Sequence, residues 1–128
     1  MPATNPYHHI RPDVLPLLAD GKLFTEAEQR QATRFAYAEA IIEVARDTPE
    51  IVMLNADVSK AIRTDAFART YPNREFNFGI AEQNMVAAAA GMAACGLIPF
   101  VSTYAVFVTM RALDQVRNSI CYPRLNVK

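Results

Sequence analysis

From residue 33 onward, apolar residues fall into two alternating patterns, with a proline at each change. Phe35, Ala38, Ile42 and Ala45 recur every three or four positions and predict a helix over 33–47 with one apolar face. Pro49 stops it. The run Ile51-Val52-Met53-Leu54 that follows has strand length and no polar face, as expected of a strand buried on both sides. The order then repeats: a helix near 60–70, Pro72, and a short strand over Glu75–Phe78. A third helix over 80–95 ends at Gly96, a suitable residue for a helix C-terminus, and Pro99 opens a strand Phe100–Thr103. A fourth helix over 106–120, Pro123 and a strand Leu125–Lys128 complete the chain. The prolines at 49, 72, 99 and 123 lie 23, 27 and 24 residues apart; they are punctuation, with no repeated sequence behind them. Helices alternating with buried strands at this spacing predict an α/β fold, a parallel sheet flanked by helices on both faces. The last strand begins where the chain stops, so the expectation is the front part of a larger α/β unit, truncated at its C-terminus.

The first residues follow another pattern. Pro2, Pro6, Pro12 and Pro16 with little apolar periodicity predict a mobile arm over 1–22, with Leu15, Leu17 and Leu18 as docking points. Residues 23–31 read as a charged helical lead-in with Thr25 and Glu28 as a capping box, so the domain is placed at 23–128. No apolar signal-peptide core is present in the arm. One stretch is long enough to cross a bilayer: the 28 residues between Glu82 and Arg111 carry no charge. Gly91, Gly96 and Pro99 interrupt it and its first half is mostly alanine, so it reads as a buried helix followed by a buried strand, and no membrane partner is expected.

Composition narrows the functions. With 52% hydrophobic residues the 128-residue chain has material for one packed core, which excludes a disordered chain. The 13 basic and 13 acidic residues cancel, and nothing points to nucleic acid or an anionic membrane. Cys95 and Cys121 form no Cys-x-x-Cys pair, which argues against zinc and a disulfide framework and fits a reducing, cytoplasmic compartment. His8-His9 lacks a third ligand nearby, so no metal site is expected on this chain. Both histidines lie in the arm, so no Ser-His-Asp set is available, and the four scattered glycines form no phosphate loop.

In open α/β sheets ligands bind where strands turn into helices at their carboxyl ends. Three such turns are predicted: Asn55–Ser59, Phe78–Glu82 and Thr103–Phe107. In the second, Gly79 permits a sharp turn and Glu82 falls in the first helical turn, where the helix dipole favours a carboxylate by about 0.3–1 kcal/mol. Its apolar and small neighbours suggest burial, which requires a proton or a bonded donor. Tyr104 and Phe107 share a face as core aromatics or as part of a ligand wall. Asp57 is a candidate helix N-cap, and Arg34 reads as an ordinary surface charge.

The run Phe76-Asn77-Phe78-Gly79-Ile80-Ala81-Glu82-Gln83-Asn84-Met85 resembles the Gly-Ile-Ala-Glu-Gln-Asn segment of transketolase-like thiamine diphosphate enzymes, in their pyrimidine-binding domain. Ala56-Asp57-Val58-Ser59-Lys60 is similar to that family's Ala-Asp-Leu-Ser-Lys turn, Pro99–Phe107 to its aromatic turn, and Arg111–Arg117 to the helix after it. The likeness covers about residues 33–128, and is nearest to the C-terminal subunit of split bacterial transketolases.

The resemblance implies roles. Glu82 matches the glutamate that hydrogen-bonds N1′ of the cofactor's aminopyrimidine and so promotes removal of the C2 proton by the 4′-nitrogen. Tyr104 and Phe107 match the aromatic wall on the pyrimidine. Asp57 and Val58 match residues near the thiazolium, and Arg34, 23 residues before Asp57, matches an arginine that binds substrate phosphate. The family's Gly-Asp-Gly motif for the diphosphate and Mg2+ is absent from this sequence, so those ligands are expected on a partner domain or subunit. Phe78 stands where the family usually has a smaller residue. Ala87–Ala90 would allow close helix approach, either at an interface between chains or within the domain. The implied function is transfer of a two-carbon ketol unit between sugar phosphates within a homo- or hetero-oligomer, this chain alone being inactive. Deoxyxylulose-phosphate synthase, a 2-oxoacid dehydrogenase β subunit and a non-catalytic assembly module are the alternatives.

Overall fold

The computed structural model describes residues 32–128. The N-terminal arm, the lead-in helix with Thr25 and Glu28, and the His8-His9 pair lie outside the described residues. Helix α1 spans Thr33–Asp47, strand β1 Ile51–Asn55, the short helices α2 and α3 Ser59–Ile62 and Asp65–Thr70, and strand β2 Glu75–Asn77. Helix α4 spans Glu82–Ala94 and strand β3 Ile98–Ser102. All three strands are parallel, in the order β2-β1-β3, with Asn55 in register with both Asn77 and Ser102. Every residue of β1 is buried. The alternation of a strand explains how helices cover both of its faces. Ile51 and Met53 pack with Ile41 and Ala45 of α1 and Phe67 of α3, whereas Val52 and Leu54 pack with Met85 and Ala89 of α4. Phe78 joins this second cluster, so its bulk is accommodated by packing. Ala89 and Ala90 are buried within the domain, while Ala87 is exposed.

Arg74 closes the first helix-strand turn. Its guanidinium donates to the carbonyls of Ala45 (3.0 Å), Thr48 (2.8 Å) and Ile51 (2.8 Å) and lies 4.6 Å from the Tyr71 ring centroid. These carbonyls lie at the end of α1 and the start of β1, and the Thr48 carbonyl also accepts the Ile51 N–H at 3.2 Å.

Four expectations are corrected. The helix predicted over 60–70 is two helices, because Arg63 adopts the left-handed conformation (φ 67°) and its guanidinium lies 4.8 Å from the Phe35 ring centroid. Strand β3 starts at Ile98, with Pro99 inside it. The N–H of Ile98 donates to Glu50 on the β1 side and that of Val101 donates the other way, to Lys128, so the missing N–H of Pro99 faces the outer edge and removes no bond to β1. The helix predicted over 106–120 is instead two π-helical turns, Phe107–Arg111 and Val116–Cys121, around the short α5, Leu113–Gln115. Fully buried Ala112 leaves helical geometry (φ −114°, ψ 17°), and the widened turns take up the irregularity. Finally, Leu125–Lys128 is not a regular strand. Its last residue docks on β3 through Lys128 N–H to Pro99 (2.9 Å) and Val101 N–H to Lys128 (2.8 Å). Gly96, at φ 92°, follows α4 as expected. No helix among the described residues is long and apolar enough to cross a membrane.

Candidate active site

The carboxyl ends of β1 and β2 carry a tight polar network. Asn55, fully buried, donates through its amide to Glu75 and accepts the Asp57 N–H at 3.0 Å. Burial pushes the Glu75 carboxyl above its ordinary range, and the bond from Asn55 pulls the other way more weakly. Asn77 also accepts the Asp57 N–H (3.0 Å), accepts the Gly79 N–H (2.9 Å), and donates to the Asp57 carboxylate (3.3 Å). Asp57 is left-handed, at φ 60°. It is not the N-cap of α2; that position is Val58, with no side-chain cap bond. Asp57, Val58, Asn77 and Tyr104 line one cleft of about 450 Å³.

Glu82 is the first residue of α4 and is 1% exposed. Its carboxylate accepts one hydrogen bond, from Arg111 at 2.8 Å. Arg111, 44% exposed, rests 4.5 Å from the Phe107 ring centroid, and the Phe107 and Tyr104 rings meet edge to face at 5.8 Å. A continuous line of contacts thus joins the buried carboxylate to the cleft: Glu82, Arg111, Phe107, Tyr104. The sharp turn at Gly79 (φ 67°) brings the chain from β2 into α4. Gly79 is one of two positions near the site where a left-handed backbone is required, the other being Asp57.

Of the residues singled out in the sequence, Asp57, Val58 and Tyr104 share the cleft. Phe107 and Glu82 connect to it through contacts. Arg34 does not line it. It is exposed at the start of α1 and lines a neighbouring depression of about 510 Å³ with Tyr37, Ser102, Thr103 and Lys128. The two depressions adjoin, since Ala61 and Tyr104 line the first and Ile62 and Thr103 the second. Tyr37 and Ser102 share a hydrogen bond of 2.9 Å there, and burial raises the Tyr37 phenol above its ordinary value. Among the described residues no His, Cys, Asp and Glu side chains gather into a metal-binding group. The roles of Arg111, Asn55 and Asn77 were not anticipated. Arg111 had one available signal: it is the first charge after Glu82, across 28 uncharged residues, and a buried carboxylate needs a cation.

The family described as transketolase, pyrimidine binding domain, matches residues 29–128. The chain belongs to this family. This pyrimidine-binding domain is 44% identical over 95 residues to a transketolase C-terminal section of Methanocaldococcus jannaschii, covering 74% of this chain and 30% of that protein. It is 40% identical over 95 residues to a 6-deoxy-6-sulfo-D-fructose transketolase subunit of Clostridium sp., again covering 74% and 30%. It is 38% identical over 112 residues to the 1-deoxy-D-xylulose-5-phosphate synthase of Carboxydothermus hydrogenoformans, covering 84% and 18%. A solved structure, a split gene transketolase as an inactive β4 tetramer, matches with a TM-score of 0.69 and 54% identity, over 75% of this chain and 32% of that one. The pyrimidine-binding domain therefore spans about a third or less of each relative's length.

Proposed function

We propose that the chain supplies the aminopyrimidine half of a thiamine diphosphate site in a transketolase that moves a two-carbon ketol unit between sugar phosphates. The observation that carries this reading is Glu82: a fully buried carboxylate at the start of α4, within a segment matched by the family, and linked by contacts to an aromatic pair at the next strand end. A flat, apolar-faced heterocycle with ring nitrogens fits such a surface. The cofactor supplies the carbanion chemistry when bound. Glu82 would hold a proton at N1′ of the pyrimidine. Tyr104 and Phe107 would pack on the ring and exclude water from it. Asp57 and Val58 would border the thiazolium end, and Arg34, in the adjoining depression, would take the substrate phosphate. The diphosphate and Mg2+ would be held by a partner section, consistent with relatives named as a C-terminal section and a subunit. A non-catalytic assembly module would account for Glu82 only as the structural partner of Arg111.

The 38% identity to a 1-deoxy-D-xylulose-5-phosphate synthase supports a second reading, synthesis of that sugar phosphate. Reconstitution with a diphosphate-binding section separates the two. Ketol transfer from a ketose phosphate to an aldose phosphate is the expected result, and formation of 1-deoxy-D-xylulose 5-phosphate without ketol transfer would select the alternative. Neither product from an assembly that binds the cofactor would favour the assembly module.

A further inference from the structure

We infer that Asn77 is a positioning residue that sets the distance between the two cofactor-facing loops; this rests on reading the cleft as a thiamine diphosphate site. The loop after β1 carries Asp57 and Val58, and the loop after β2 leads through Gly79 to Glu82. One oxygen, Asn77 Oδ1, accepts a backbone N–H from each loop: Asp57 at 3.0 Å and Gly79 at 2.9 Å. Both donors are left-handed residues, at φ 60° and 67°. For Asp57 that conformation is disfavoured, and persists only where surrounding bonds determine it. The bonds that do so are those its N–H donates to Asn55 and Asn77.

The chemistry requires an amide at position 77. Two N–H donors converge on its oxygen, while its nitrogen donates to the Asp57 carboxylate at 3.3 Å. A carboxylate at 77 would place a second anionic oxygen where that nitrogen stands, against Asp57. Alanine would remove the bridge, leaving Gly79 N–H without this acceptor and Asp57 with Asn55 alone. Asn77 lines the cleft beside these loops and makes no hydrogen bond to Glu82. Its influence passes through the loops, where an error of about 1 Å in the relation of reacting groups costs about 10²-fold in rate.

The test uses the full chain assembled with its diphosphate-binding section. Asn77→Ala and Asn77→Asp are each expected to slow hydrogen–deuterium exchange at C2 of bound thiamine diphosphate by about 10²-fold. Cofactor affinity, held largely by the diphosphate side, should fall much less. Amide exchange by mass spectrometry should show lost protection at Gly79 and weakened protection at Asp57 in Asn77→Ala, with Phe78 N–H, bonded to the Asn55 carbonyl, unchanged. Asn77→Asp, whose carboxylate still accepts both N–H groups, should keep more Gly79 protection than Asn77→Ala. The double variant Asp57→Asn with Asn77→Asp reverses donor and acceptor between the two side chains, relieves the repulsion of two carboxylates, and should exchange C2 faster than either single variant. Single variants that exchange C2 at the wild-type rate, or a double variant that exchanges C2 no faster than the singles, would overturn the positioning role alone. A wild-type assembly that fails to exchange C2 would overturn the thiamine reading, and this role with it.

Discussion

Glu82 has one hydrogen-bond partner among the described residues, so replacing Arg111 should expose how the buried charge is tolerated. In Arg111→Met the carboxylate, 1% exposed, loses a charge-assisted bond of 2.8 Å. Such a bond contributes about 1.5–3 kcal/mol. The lost stacking on Phe107 adds about 0.5–1 kcal/mol. Breaking a fully buried pair would cost about 3–5 kcal/mol. Because Arg111 is 44% exposed, water enters where its guanidinium stood, and the expected cost falls to about 2–3 kcal/mol. Glu82→Gln leaves a half-exposed arginine free to solvate and should cost about 1 kcal/mol. The double variant buries no unpaired charge, and should be more stable than the sum of the singles implies by about 1.5 kcal/mol. Urea unfolding of the four proteins, with unchanged denaturant slopes, measures this coupling. A coupling indistinguishable from zero would mean that the pair does not hold the carboxylate in place.

Three further outcomes follow from other parts of the chain. Arg74→Ala should lower stability by about 2–4 kcal/mol because it removes a charged donor from three carbonyls, of which that of Thr48 keeps the Ile51 N–H, and Arg74→Lys should recover only part of this, since an ammonium lacks the planar fork; denaturant midpoints would show both. The Glu75 carboxyl has a raised pKa in the fold, so its stabilising contribution is present at acid pH and is lost as pH rises through the folded value. Glu75→Gln should therefore be more stable than the parent at pH 7 and equal to it near pH 4; an equal difference at both would refute the linkage. Finally, calorimetric titration of the chain alone with thiamine diphosphate and Mg2+ should show weak binding that tightens when the diphosphate-binding section is added, and tight one-to-one binding by the chain alone would contradict the half-site reading.

The sheet was legible because a strand buried on both faces leaves an apolar run without alternation, and Ile51–Leu54 is such a run. Helix ends marked by Pro49 and Gly96 were legible for the same local reason: one residue type dominates the backbone preference. Arg63 and Ala112 were not, because neither carries a local signal against helix. Their backbones depart from helical geometry where Arg63 meets Phe35 and where Ala112 is buried, and both depend on packing from elsewhere in the chain. Glu82 was found as a candidate from its place after Gly79 and its apolar neighbours. Its partner lies 29 residues further on, and proximity at that separation is set by the fold. Asn77 is not legible in the sequence because an asparagine at a strand end is ordinary, and its two N–H partners converge only when β1 and β2 pair in register.

The central claim is that Glu82 activates the cofactor, and the rate of hydrogen–deuterium exchange at C2 of thiamine diphosphate bound to the reconstituted enzyme tests it most directly. Glutamine keeps the shape of the side chain and a hydrogen bond to N1′ but cannot share a proton with it. Glu82→Gln should therefore retain most cofactor affinity and slow C2 exchange by about 10²–10⁴-fold, the usual effect of losing a positioned acid–base group. Exchange at the wild-type rate in Glu82→Gln would make Glu82 a structural partner of Arg111 at a helix start, and would contradict the account.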